Sequence, residues 1–302
     1  MSQRTPRDIV WILLLLAVAL TGILSLYRRI HHAQSKGEVN LCALITQRPQ
    51  AIVRVLRPEL LRLMLPSTPH AEQLLASSLP NNVLCQLNGA DKQPPFTLIY
   101  YPEGEVWLAA LSYIEAQSLF NRLNENHGFA PIEEEVWKQI VVRYYPEEGK
   151  RFLGCTYRQG IFIASYQRKL LLSTLRQALR PQPISPEIER LRTLGNQPTD
   201  APLQLYLPTE TLLNDSLAEV FFGAERPAKW LSIPFFFNDG NLCGLQEWPL
   251  PQSLPDSLIA EQWLHPLRDS LRLSLHRLLP EAELNLQASH DEQATYFTLY
   301  AH

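Results

Sequence analysis

The chain has 302 residues, of which 46% are hydrophobic and 19% charged, with a formal net charge of −3 at pH 7. That length buries a core without metal or disulfide staples. A near-neutral balance, pI about 6.3, gives no electrostatic footprint for nucleic acid, so no nucleic-acid partner is expected.

Residues 9–26 form an uncharged run of 18 residues. At about 1.5 Å per residue it reaches about 27 Å, enough for the hydrocarbon core of a bilayer. Trp11 and Tyr27 suit the two interfaces, and Arg28 and Arg29 can snorkel to headgroups. A cleaved signal is the competing reading, with Arg4 and Arg7 as its basic region and Ala17-Val18-Ala19 as its cleavage site. The apolar run continues past Ala19, which favours a retained anchor. A buried core helix is a third reading, but a run apolar on every face at the extreme terminus argues against it. Arg4 and Arg7 on one flank nearly balance Arg28, Arg29 and Lys36 on the other; a cleaved signal would also export the domain, so an extracytoplasmic (periplasmic) domain is expected.

The expected organisation is a short tail (1–8), a transmembrane anchor (9–27) and a juxtamembrane linker (28–38). A first α+β half (39–180), a Pro-rich connector (181–202) and a second α+β half (203–302) follow. The connector carries Pro181, Pro183, Pro186, Pro198 and Pro202, and proline stiffens such segments. Within it the pattern predicts a short helix over 186–194, with Pro186 in its first turn.

In chain order, "YPEGEVWLAALSYIEAQSLFNRL" reads as a strand over 106–111 and a helix with its stripe at Ala116, Leu119, Phe120 and Leu123. Glu133, Glu134 and Glu135 follow Pro131 and fit a helix first turn, where acids complement the dipole. Two strands over 139–145 and 151–157 form a hairpin turned by Pro146-Glu147-Glu148-Gly149. "YRQGIFIASYQRKLLLSTLRQAL" repeats the Y-x-x-G entry, strand and helix, now with Leu171, Leu175, Ala178 and Leu179 as the stripe. A looser third copy has its strand over 203–207 and a helix lined by Leu213, Leu217, Val220 and Phe221. A second hairpin, 230–237 with 242–248, turns at Asn238-Asp239-Gly240. Pro234 should push its first strand to a sheet edge or a bulge. A helix over 267–278 and a last hairpin, 283–288 with 294–300, close the chain. The pattern as a whole is α+β, antiparallel sheet packed with helices after an N-terminal transmembrane helix.

Chemistry is thin. Ser165 follows a strand and opens a helix, but the glycines of a nucleophile elbow are missing and a helix cap is the simpler role. His265 and His276 lie too far apart along a helix to share a metal, and no H-E-x-x-H spacing occurs. His31 and His32 beside Arg28 and Arg29 suit a solvated juxtamembrane turn. Cys42, Cys85, Cys155 and Cys243 are widely spaced, so buried thiols are the simple reading; disulfides are open to an exported domain. No cofactor, metal or catalytic residue is expected. Aromatics crowd "EVFFGAERPAKWLSIPFFF", and Phe222, Trp230 and Phe236 are the candidate partner-binding surface, with Phe235 and Phe237 turned inward.

The apolar span, "GIFIASYQRKLL", "LQLYLPTETLL" and "WLSIPFFFNDGNLCGLQEW" together resemble a domain-of-unknown-function family of single-span, membrane-anchored envelope proteins of the Bacteroidetes type. The resemblance implies a single-span protein with an extracytoplasmic α+β domain, and transfers no catalytic residue. The expected function is therefore a membrane-anchored, non-enzymatic module that meets the lipid bilayer through its N-terminal helix. Its domain would bind an envelope protein partner or scaffold an assembly. The rivals are an anchored envelope hydrolase and a carrier of an apolar ligand.

Overall fold

The computed structural model describes residues 41–58, 60, 94–126, 133–137, 140–147, 151–181, 185–195, 197, 199–208, 230–238, 241–249, 284–290 and 294–301. The anchor segment, the helices expected beyond 208 and 266, Cys85 and Phe222 lie outside these residues. Among the described residues no helix is long and apolar enough to cross a membrane.

The fold is mixed α and β, built on a large antiparallel sheet. Twelve strands follow the order β11-β12-β10-β9-β8-β1-β2-β3-β7-β6-β5-β4. They are β1 (Ala51–Val55), β2 (Phe96–Tyr101), β3 (Gly104–Ala110), β4 (Glu133–Trp137), β5 (Ile140–Glu147) and β6 (Arg151–Arg158). The remainder are β7 (Ile161–Ser165), β8 (Leu203–Pro208), β9 (Trp230–Asn238), β10 (Asn241–Pro249), β11 (Leu284–His290) and β12 (Ala294–Ala301). The described helices are α1 (Tyr113–Asn126), α2 (Arg168–Leu179) and α3 (Pro186–Leu194), with a 3-10 turn at Leu41–Leu44.

The central strands are buried on both faces, which is why "IFIAS" and "LQLYLP" read as continuous apolar runs instead of alternating ones. On one face Ile52, Ile99, Val106, Leu108 and Ile163 join Leu171 and Leu175 of α2, Ile188 and Leu191 of α3, and Cys42 of the 3-10 turn. On the other, Trp107 lies between Phe96 and Phe162, at ring-centroid distances of 6.2 and 5.2 Å. Phe120 of α1 meets Phe162 there at 5.3 Å.

The two closer strand-helix units are present, β3-α1 and β7-α2, and their strands pair directly, Trp107 opposite Ala164. Each Y-x-x-G is a hairpin turn, β2 to β3 and β6 to β7. Its glycine has a positive φ, 150° at Gly104 and 85° at Gly160, a region that costs glycine little. The third unit shows its strand, β8, and its helix falls outside the described residues. The segment 181–202 holds the predicted helix, α3, with Ser185 as N-cap accepting from Ile188 N and Pro186 at the first position. The sheet runs on across the segment, because β8 pairs with β1 from Ile52↔Tyr206 to Val55↔Leu203.

Three expectations are corrected. Glu133, Glu134 and Glu135 stand in β4, an outer strand of the described sheet, with Glu134 opposite Arg143. Cross-strand pairing outweighs the helix-favouring local signal there, and charged residues suit an edge. Pro146 and Glu147 continue β5, with Pro146 opposite Phe152, instead of turning the hairpin. Pro234 sits in β9, which has β8 and β10 on its two sides. The register with β10 runs only from Asn238↔Asn241 to Phe235↔Gly244, so the proline lies just past the paired stretch.

α3 is tied to the segment that leads from the 3-10 turn into β1. Arg192 Nη2 donates to Ile45 O at 2.7 Å, and Arg48 meets Glu187 at 3.2 Å. Tyr101 lies against that segment, and burial pushes its hydroxyl from 10 up to about 12, tempered by Thr46 and the Arg192 charge. An acid with a raised folded pKa stabilises the fold fully below its unfolded value, and that stability is lost as pH rises from about 10 towards 12. A two-unit shift corresponds to about 2–3 kcal/mol at most. Urea midpoints between pH 8 and 12 should therefore fall less steeply for Tyr101→Phe than for the parent chain. Parallel curves would contradict the assignment.

Candidate functional site

Ser112 and Glu115 form a capping box at the start of α1: Glu115 N donates to Ser112 Oγ at 3.3 Å, and Ser112 N donates to Glu115 Oε2 at 2.8 Å. The box fixes Tyr113 and Ile114 in the first turn, where they are 53% and 56% exposed. Phe120, one face of the same helix, is held against Phe162 and under the Arg143 guanidinium at 4.4 Å, so α1 cannot roll to hide them. The Tyr113 ring lies 6.3 Å from that of Tyr157, whose hydroxyl donates to Leu111 O at 3.1 Å. Burial raises the pKa of that hydroxyl. Val141 of β5, 39% exposed, precedes the Val142↔Thr156 pair and so shares the face of Tyr157. Tyr113 thus meets Tyr157 where α1 starts, with exposed Ile114 next to it in the chain and exposed Val141 on the sheet face of Tyr157.

A second constellation lies on the opposite face, across β1, β8 and β9. Arg54 Nη1 donates to Tyr206 Oη at 3.1 Å, Tyr206 Oη donates to Gln204 Oε1 at 2.7 Å, and Gln204 Nε2 donates to Ser232 Oγ at 2.7 Å. The register sets these together: Arg54 opposes Gln204, which opposes Pro234, while Tyr206 opposes Ser232. Burial raises the Tyr206 hydroxyl, although Arg54 and Ser232 pull it down, so it stays a neutral phenol at physiological pH.

Of the expected surface, Phe236 is 40% exposed, on the same face of β9 as Ser232 and Pro234. Trp230 is 5% exposed and belongs to the core beneath Tyr206, so it does not form a surface. Phe222 lies outside the described residues. Phe235 is buried as expected. Ser165 is not the helix cap: Gln167 holds the N-cap position of α2, and the buried Ser165 Oγ donates to Glu105 O at 2.6 Å and accepts from Gln167 N at 3.0 Å. Cys42, Cys155 and Cys243 are buried cysteines. Among the described residues no group of three or more His, Cys, Asp or Glu converges to hold a metal.

No family model matches the chain, and no curated protein matches it. Among solved structures it is similar to crystal form I of TP0453, at 9% identity over 87% of this chain and 94% of that one, with a TM-score of 0.46. A likeness that distant carries no property across.

The α1 patch escaped the sequence reading, although the S-x-x-E box at Ser112 marks a helix start and leaves Tyr113 and Ile114 in its first turn. The Arg54 constellation had no sequence signal, since its members come from three strands remote in sequence.

Proposed function

We propose that the chain is a membrane-anchored, non-enzymatic module whose α+β domain stands on the extracytoplasmic side and binds an envelope protein partner. The apolar run at 9–26 supports the anchor, and the resemblance to single-span envelope proteins supports the side. The single observation that carries the binding role is the rigid exposed patch of Tyr113, Ile114 and Val141. Contiguous exposed apolar groups, held by a cap and a packed helix, mark interaction sites more often than idle surface. Aromatic anchors of this kind dominate protein interfaces.

The test is a photo-crosslinking amino acid placed at Tyr113 in living cells. The reading expects one discrete crosslinked product that disappears in an Ile114→Glu background, with the fold intact by circular dichroism. The same probe at exposed Glu189 of α3 should give none. Equal products from both positions, or a product indifferent to Ile114→Glu, would refute the binding surface.

A further inference from the structure

Between Gly149 and Pro186 the chain has no Asp or Glu, although the sequence carries 30 of them. The same stretch holds seven Lys or Arg, and four of these, Arg168, Lys169, Arg176 and Arg180, fall on α2 or its cap. Lys169, Ser173 and Arg176 recur at i, i+4 and i+7, on the side of the helix opposite the buried Leu171, and Arg180 is the C-cap. Lys169, Arg176 and Arg180 are all exposed. We propose that this basic stripe docks the domain on the anionic headgroups of the bilayer that holds the chain's own anchor, an inference that rests on the anchor of the proposed function.

The stripe does not serve the stability of α2. Cations in the first turn of a helix oppose its dipole, and α2 has Arg168 and Lys169 there with no acid beside them in that turn. Nor does the stripe serve packing, because the helix meets the sheet through Leu170, Leu171 and Leu175. Positive charge presented outward on a rigid element suits an anionic surface.

Which surface it meets follows from where the tether arrives. Residues 28–40 join the anchor to the 3-10 turn Leu41–Leu44, and that turn packs against α2. Cys42 and Leu44 share one buried cluster with Leu170, Leu171 and Leu175. A linker of that length spans at most about 45 Å when fully extended, so α2 is held within reach of the headgroups. Arg28, Arg29 and Lys36 of the linker add charge of the same sign. Each Lys or Arg near an anionic bilayer favours the bound state about fivefold, and a tether makes such weak contacts effective by holding the partners close. α1 lies on the other face of the sheet, so docking through α2 turns Tyr113 away from the bilayer and towards a protein partner.

The test uses the full chain in nanodiscs of phosphatidylcholine, with and without phosphatidylglycerol. A photo-crosslinking amino acid replaces Ser173 in the stripe or, as the reference, exposed Asn121 of α1, and lipid adducts are read by mass spectrometry. The expected result is an adduct from position 173 in the phosphatidylglycerol discs, about tenfold weaker in pure phosphatidylcholine or at high salt, and little from position 121. Lys169→Gln, Arg176→Gln and Arg180→Gln together should lower the docked-to-free ratio about a hundredfold, at about fivefold for each charge. If that variant fails to fold by circular dichroism, the lipid and salt dependence of the parent chain decide the matter. An adduct from position 173 no stronger than from 121, indifferent to phosphatidylglycerol, or unchanged in the folded triple variant overturns the docking and leaves the anchor standing. A chain that does not co-elute with the discs refutes the anchor, and the docking falls with it.

Discussion

Trp107→Ala is expected to lower unfolding stability by about 3–5 kcal/mol, the range for removing a large buried aromatic side chain. Trp107 is 1% exposed at the heart of the sheet, with Phe96 and Phe162 on its two sides and Phe120 behind Phe162. The cavity cannot collapse easily, because its walls are strands with neighbours on both sides and aromatics locked against one another. Trp107→Phe should cost far less. The indole Nε1 is buried and has no hydrogen-bond partner, so the shorter ring gives up packing and no polar contact. Urea denaturation with a two-state fit checks both. A Trp107→Phe loss as large as that of Trp107→Ala would show that the indole itself is tied down.

The second large effect is at the seam between α2 and β6. Leu171→Ala should cost about 2–5 kcal/mol, as for other fully buried leucines. Gly154→Ala alone should cost about 1–3 kcal/mol. A methyl group there would meet Leu171 Cδ2 at 2.9 Å and Tyr144 Cε1 at 3.1 Å. The double variant removes the nearer obstacle, so its cost should fall below the sum of the single costs by about 1 kcal/mol or more. Strict additivity would mean that α2 does not rest on β6 through Leu171.

Much of the sheet was legible in the sequence because the signals were local. The Y-x-x-G turns and the runs "IFIAS" and "LQLYLP" each carry their structure within a few residues. α3 was legible to the residue, since Ser185, Pro186 and Gly195 mark its ends. What local reasoning missed is set by tertiary partners. Glu133, Glu134 and Glu135 are poor strand formers, and only pairing with β5 makes them β4. Pro234 is tolerated inside the sheet because β9 pairs with β10 over a shorter stretch than with β8. Trp230 shares the sheet face of the exposed Phe236, and it is buried because the start of β9 lies in the core cluster that includes Tyr206 while the end of β9 does not. The Arg54 constellation spans β1, β8 and β9, and no one-dimensional spacing foretells which residues of three remote strands come opposite one another.

Anchor, side of the membrane and binding role stand or fall together in the proposed function, because an envelope partner can reach Tyr113 and Ile114 only across the membrane from the cytoplasm. The measurement that tests this most directly is protease accessibility of the domain in intact cells, in cells with the outer barrier opened, and after lysis, beside a cytoplasmic control protein. The account predicts digestion as soon as the outer barrier is opened, while the cytoplasmic control stays whole. Protection of the domain until the inner membrane is lysed would contradict it and place the binding surfaces in the cytoplasm.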